Sequence, residues 1–162
     1  IDAAAAYLAM GATIDDFANL EMAYAPPFSA AIDSINAAAY VADNLCDGRL
    51  RKTSIQSFLD WMDDFSRQPD WVALDIRHPA EATPFVAKYG ANCWHALPYN
   101  EVRSRYQELS ADKTMIILCD AGTRSFEIQS FLDSVGLTNT LVLSGGFNVI
   151  RRIGVDWYPE GS

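Results

Sequence analysis

The sequence predicts an α/β fold: a mostly parallel sheet with helices on both faces, preceded by a short, mainly helical segment. Three observations predict it. Short apolar runs at residues 71–76, 115–118 and 140–143 have the length and residue types of interior strands. Amphipathic segments separate them, and strands that alternate with helices imply parallel order. Residues 1–46, in contrast, are rich in alanine and show no comparable strand pattern.

The elements follow in order. Residues 1–10 read as a helix stopped by Gly11, and Thr13 suits the cap of a short helix over 14–20. Pro26 and Pro27 prevent continuous helix over 24–29, because proline lacks the amide donor and biases its predecessor toward extended backbone. A further helix is predicted over about 30–43, where Ala37-Ala38-Ala39 would permit close approach by another element. The polar turn signal Asp47-Gly48-Arg49 then divides the chain into a segment at 1–46, a linker at 47–53 and a domain at 54–162. Thr53-Ser54-Ile55-Gln56 resembles a capping box, after which Ile55, Phe58, Leu59, Met62 and Phe65 recur with helical spacing. Residues 92–96 suit a fourth strand. Helices are expected at 101–109 and 125–135, the latter with Ile128, Phe131, Leu132 and Val135 on one side and Gly136 as its stop.

Composition narrows the function. The chain has 162 residues, enough for one well-buried domain plus an appendage. A net charge of −9 repels nucleic acid and anionic lipid, so neither is an expected partner. Cys46, Cys93 and Cys119 have no metal-like spacing, and with only His78 and His95 beside them no metal site is expected. An odd number of cysteines fits reduced thiols and a cytoplasmic location. No apolar run approaches a membrane span and no signal-peptide pattern is present. The Ala-rich start at Ile1, without Met, suggests a piece of a longer chain.

The residues richest in chemistry are Cys119-Asp120-Ala121-Gly122-Thr123-Arg124-Ser125, directly after one apolar run and before an amphipathic segment. In parallel sheets ligands bind beyond the C-terminal strand ends, and Cys119 is at one. A short loop closing onto a helix N-terminus turns several backbone N–H groups inward; with the Arg124 guanidinium these favour thiolate over thiol. Gly122 permits a positive φ where the loop curls, and Ser125 suits the N-cap of the next helix.

From about residue 54 to 157 the chain resembles the rhodanese-like domains. The resemblance rests on Leu74-Asp75-Ile76-Arg77 with Glu81, Ala96-Leu97-Pro98 followed by Glu101 and Arg103, the loop from Cys119 to Ser125, and Leu143-Ser144-Gly145-Gly146 before a last short helix. It implies a rhodanese-like sheet and a reaction in which Cys119 takes sulfane sulfur from a donor, holds it as a persulfide, and passes it to a thiol acceptor. Asp120, Ala121, Gly122, Thr123, Arg124 and Ser125 would shape the loop and stabilise the anion, with Arg124 the main side-chain cation. Asp75, Arg77 and Glu81 match family positions and are expected to be structural. His78 and His95 gain no catalytic role and are expected to be solvated or hydrogen-bonded. The bulky pair Cys93-Trp94 departs from the family pattern and is expected to alter the pocket edge. Four residues separate Cys119 from Arg124, one fewer than the phosphatase-type loop of similar architecture, so the ring suits a single sulfur.

The upstream segment carries a second resemblance. Residues 20–29, followed by Asp33, Asn36 and Ala39, look like the end of the dimerisation domain of flavin-dependent pyridine nucleotide-disulfide oxidoreductases. Some of that group, the coenzyme A-disulfide reductases and NADH-dependent persulfide or polysulfide reductases, carry a C-terminal rhodanese domain. The resemblance therefore implies a homodimer and a parent with FAD, NAD(P)H and, in one subgroup, coenzyme A. It makes Tyr24 either a contributor in trans to the reductase site or a buried interface residue. No Gly-x-Gly-x-x-Gly occurs in these 162 residues, so no cofactor is expected within them. The alternative function is a non-catalytic rhodanese-like interaction and dimerisation module.

Overall fold

The computed structural model describes residues 1–23, 27, 30 and 32–154, which fall into two compact units, residues 1–50 and 51–162. Tyr24 lies outside the described residues.

The first unit contains α1 (Asp2–Ala9), α2 (Ile14–Ala18) and α3 (Ser34–Cys46). Gly11 follows α1 with φ +81°, and Thr13 and Asp16 close a reciprocal capping box on α2. The third helix starts later than its composition suggests: Asp33 accepts a hydrogen bond from the Ile35 amide and fixes the start at Ser34. Asn36 joins α3 to the end of α2 by donating to the carbonyls of Phe17 (3.0 Å) and Leu20 (2.9 Å). Of the alanine run only Ala39 is buried; Ala37 and Ala38 are exposed.

The second unit is a five-stranded sheet, parallel throughout. Its strands are β1 (Lys52–Thr53), β2 (Trp71–Asp75), β3 (Trp94–Ala96), β4 (Thr114–Leu118) and β5 (Thr140–Leu143), in the order β1-β5-β4-β2-β3. Among the described residues five α-helices cover it: α4 (Ile55–Asp63), α5 (Pro79–Tyr89), α6 (Tyr99–Arg105), α7 (Thr123–Ser134) and α8 (Gly146–Ile153).

Strand alternation sorts the core into two layers. Ala73, Ile116, Leu118 and Leu143 join Phe58 and Trp61 of α4, Phe85 of α5 and Phe147 and Ile150 of α8. Leu74, Met115 and Ile117 face the other way, toward Val102 of α6 and Ile128 and Leu132 of α7. Each layer is fully removed from water, so hydrophobic burial holds the sheet from both sides.

Three expectations change here. Lys52 and Thr53, assigned to a linker, form the edge strand β1, because the Gln129 side chain accepts from the Arg51 amide and donates to the Arg51 and Thr140 carbonyls, each at 3.0 Å. Ser54 rather than Thr53 caps α4, through the Ser57 amide at 3.0 Å. Trp94 does not line a pocket edge: it is fully buried, stacked on Phe85 with centroids 4.8 Å apart. The sequence reading also passed over α5, whose Pro79 and Pro84 obscure it; His78 caps it, its Nδ1 accepting from the Ala80 amide at 3.2 Å.

His95 is half-buried on β3, beside a cavity of about 240 Å³, and its Nε2 is buried with no hydrogen-bond partner among the described residues. Burial holds its pKa below the ordinary 6.5, against an opposing pull from Glu108. The unfolded chain therefore binds a proton more readily, and the stability linked to His95 is present above about pH 6.5 and lost as the pH falls below it. Urea melts of wild type and His95→Leu across that interval are expected to show a steeper acid loss in the wild type; equal slopes would remove His95 from the account.

Candidate active site

Register brings the strand ends level. Asp75 of β2 pairs with Leu118 of β4 and with Ala96 of β3, so the residue after Leu118 emerges at the C-terminal edge of the central strand. That residue is Cys119. The Ile76 amide donates to the Leu118 carbonyl at 3.0 Å, extending the β2–β4 pairing to the base of the loop.

The loop then curls. Gly122 takes φ +96°, in the left-handed region, and its amide points back to Cys119 Sγ at 3.0 Å. The loop carbonyls are held outward by another element: the N-terminal amides of α8 donate from Phe147 to the Cys119 carbonyl (3.0 Å) and from Asn148 to the Asp120 carbonyl (2.9 Å). Gly146 makes this docking possible, since a Cβ there would lie 2.4 Å from the Cys119 carbonyl oxygen. Cys119 is only 1% exposed, packed against the Leu74 and Ile117 layer. Its sulfur thus has a backbone donor beside it and an apolar floor under it.

Helix α7 starts at Thr123 with Gly122 as N-cap, so Ser125 is not the cap. The loop closes one turn sooner than expected because Gly122 supplies the left-handed residue. Ser125 is fully buried on the first turn of α7, and its hydroxyl has no hydrogen-bond partner among the described residues. Thr123 and Ala121 are exposed. Arg124 is exposed and pairs with Asp120.

Beneath the loop is a buried ion pair. Arg77 donates from Nε to Asp75 Oδ1 at 2.9 Å and from Nη2 to Asp75 Oδ2 at 2.7 Å, and both side chains are about as buried as the core. Asp75 also accepts from the Arg77 amide (3.1 Å) and from Trp94 Nε1 (3.2 Å). The guanidinium lies 3.5 Å from the Phe147 ring centroid, at the start of α8. Arg77 reaches Glu81 at 3.7 Å, Glu81 reaches Arg151 of α8 at 3.0 Å, and Arg151 reaches Asp120 at 3.3 Å. A continuous ionic chain therefore runs from the end of β2 to the loop. The role of Arg151 in it was not legible: it is one of two consecutive arginines on a terminal helix, with no local signal separating it from a solvated charge.

Among the described residues no group of three or more His, Cys, Asp or Glu side chains gathers as metal ligands, and no helix is long and apolar enough to cross a membrane. All three cysteines are free thiols.

Together these features define a parallel α/β domain that holds a cysteine, with the Gly122 amide on its sulfur, in a tight loop at the C-terminal edge of its central strand. The chain belongs to the rhodanese-like domain family, whose model matches residues 58–152. It is 30% identical over 93 residues to a sulfurtransferase of Allochromatium vinosum, covering 57% of this chain and 83% of that protein. It is 35% identical over 75 residues to the tRNA sulfurtransferase of Pseudomonas paraeruginosa, covering 46% of this chain but 15% of that protein. Among solved structures it is similar to the NAD-dependent persulfide reductase from A. fulgidus (TM-score 0.72, 32% identity) and to Bacillus anthracis CoADR-RHD (TM-score 0.76, 26% identity). Each match covers 91% of this chain, and the chain spans 24% and 25% of those proteins.

Proposed function

We propose that Cys119 is a sulfur carrier. Its thiolate attacks the sulfane sulfur of a donor; a new S–S bond forms to Cys119, the donor's S–S bond breaks, and the leaving group departs with the electron pair, as sulfite from thiosulfate or as a thiolate from an organic persulfide. An acceptor thiolate then takes the outer sulfur and returns the Cys119 thiolate. The observation that carries this reading is the Gly122 amide 3.0 Å from Sγ, in a loop whose carbonyls are held away by α8. Fixed donors of this kind stabilise charge as it develops on sulfur without having to reorganise. Mass spectrometry after exposure to thiosulfate or glutathione persulfide is expected to show one added sulfur atom on Cys119, removed by cyanide and absent in Cys119→Ser. An unmodified wild-type protein would instead favour a non-catalytic interaction module.

The chain is further proposed to be the C-terminal part of a flavin-dependent persulfide, polysulfide or coenzyme A-disulfide reductase, with FAD, NAD(P)H and coenzyme A belonging to that parent. Support comes from the two reductase structures, whose matches exceed what the 51–162 unit alone supplies and so run into residues 1–50. Residues 1–46 would serve a homodimer. An apolar groove of about 360 Å³, lined by residues including Ile1, Ile14, Phe17 and Ala38, and the exposed Ile32 and Val41 support that reading. Sedimentation of the chain beside a form starting at Arg51 is expected to show a dimer only for the longer; a monomeric longer form refutes the assembly. Tyr24 keeps its proposed place near that contact or in the partner's reductase site.

A further inference from the structure

We propose that Asp120 sets donor choice by occupying the cations of the loop mouth, so that the site favours organic persulfides over the thiosulfate dianion. The proposal rests on the sulfur-carrier reading of Cys119. Arg124 is the only cation within the loop sequence, and its position on the first turn of α7 tilts its side chain back toward the loop. Among the described residues, the one carboxylate within ion-pair distance of Arg124 is Asp120. The other oxygen of that carboxylate is 3.3 Å from Arg151, so the acidic side chain next to Cys119 engages two guanidinium groups. Arg151 is also engaged by Glu81, and Arg77 by Asp75 and Glu81. Within this network the guanidinium groups of Arg77, Arg124 and Arg151 each meet a carboxylate of Asp75, Glu81 or Asp120.

Thiosulfate brings a charged sulfonate that must sit beside the reacting sulfur and then leave as sulfite. With Arg124 neutralised by Asp120, and with a chain whose net charge is −9, that group meets little attraction. An organic persulfide releases a thiolate and carries no second anionic group at the reacting end. Its attack depends on the Gly122 amide and the loop backbone, which Asp120 leaves untouched. The acidic side chain next to the nucleophile is thereby a specificity-determining residue whose effect reaches the donor through the arginines it holds.

The test is a ratio of donors. Single-turnover sulfur uptake on Cys119 is measured by mass spectrometry with thiosulfate and with N-acetylcysteamine persulfide, whose tail is uncharged. Asp120→Asn is expected to raise the thiosulfate-to-persulfide ratio of uptake rate constants by about tenfold at low salt, equivalent to roughly 1.4 kcal/mol. The gain is expected to shrink as salt rises, to fall further in Asp120→Asn combined with Arg124→Ala, and to vanish when Arg151→Ala is added as well. Asp120→Glu, which restores the carboxylate, is expected to keep the wild-type ratio, and Asp120→Ser repeats the Asn result should the amide disturb folding. A purely structural role would lower both rates and leave the ratio unchanged, and that outcome, like an unchanged ratio with unaltered rates, overturns the proposal. Failure of the underlying reading is distinct: wild-type Cys119 would then take sulfur from neither donor.

Discussion

Arg77→Leu is expected to destabilise the 51–162 unit by about 3–5 kcal/mol, the usual cost of removing one partner of a buried ion pair. Among the described residues, the substitution leaves the fully buried Asp75 carboxylate with only the backbone amide of residue 77 and the Trp94 indole as donors. It also removes the cation seated on the Phe147 ring, which anchors the start of α8. Equilibrium urea unfolding measures the loss. Adding Asp75→Asn to Arg77→Leu is expected to recover part of it, because the orphaned charge is then gone. If the double variant is as unstable as the sum of the singles, the charge itself is not what the pair satisfies.

Gly146→Ala is expected to slow sulfur uptake by Cys119 about 100-fold, the scale on which misplacing a reacting group by an ångström acts. Residue 146 has φ +59°, and its new Cβ would fall 2.4 Å from the Cys119 carbonyl oxygen and 2.7 Å from the Asp120 carbonyl carbon. All of these are backbone atoms, so the loop rather than a flexible side chain must move. Gly136→Ala is the control: φ there is +87°, with no atom within 4 Å of the added Cβ. It carries the left-handed strain of about 1–2 kcal/mol without touching the loop. Equal effects of the two variants on uptake would mean that docking of α8 does not position Cys119.

Both effects depend on contacts between segments far apart in the chain, and this divides what was legible from what was not. The apolar runs at β2, β4 and β5 and the helical face of α7 were readable because interior parallel strands are apolar on both faces and an amphipathic helix repeats at 3.6 residues. The loop's position was readable because cysteine, glycine and arginine follow an apolar strand in short succession, and glycine marks the turn. The edge strand β1 was not, since two residues carry no period; its place depends on Gln129, distant in sequence. The start of α7 was misplaced because Ser125 has the chemistry of an N-cap while Gly122 has the backbone freedom, and the left-handed turn decided between them.

By itself the sequence determined the α/β class, the family resemblance and the place of Cys119 at the end of an apolar strand, because periodicity, turn residues and motif spacing are local properties that survive without knowing what packs on what. Tertiary structure alone decided that Trp94 is core, that Ser125 is buried without a partner, that α8 turns the loop carbonyls outward, and that Asp120 holds both Arg124 and Arg151. The reason is physical: whether a polar or aromatic side chain is satisfied, buried or charged depends on the groups facing it. Around Cys119 those groups come from β2, α5 and α8, which only the closed sheet brings to one edge.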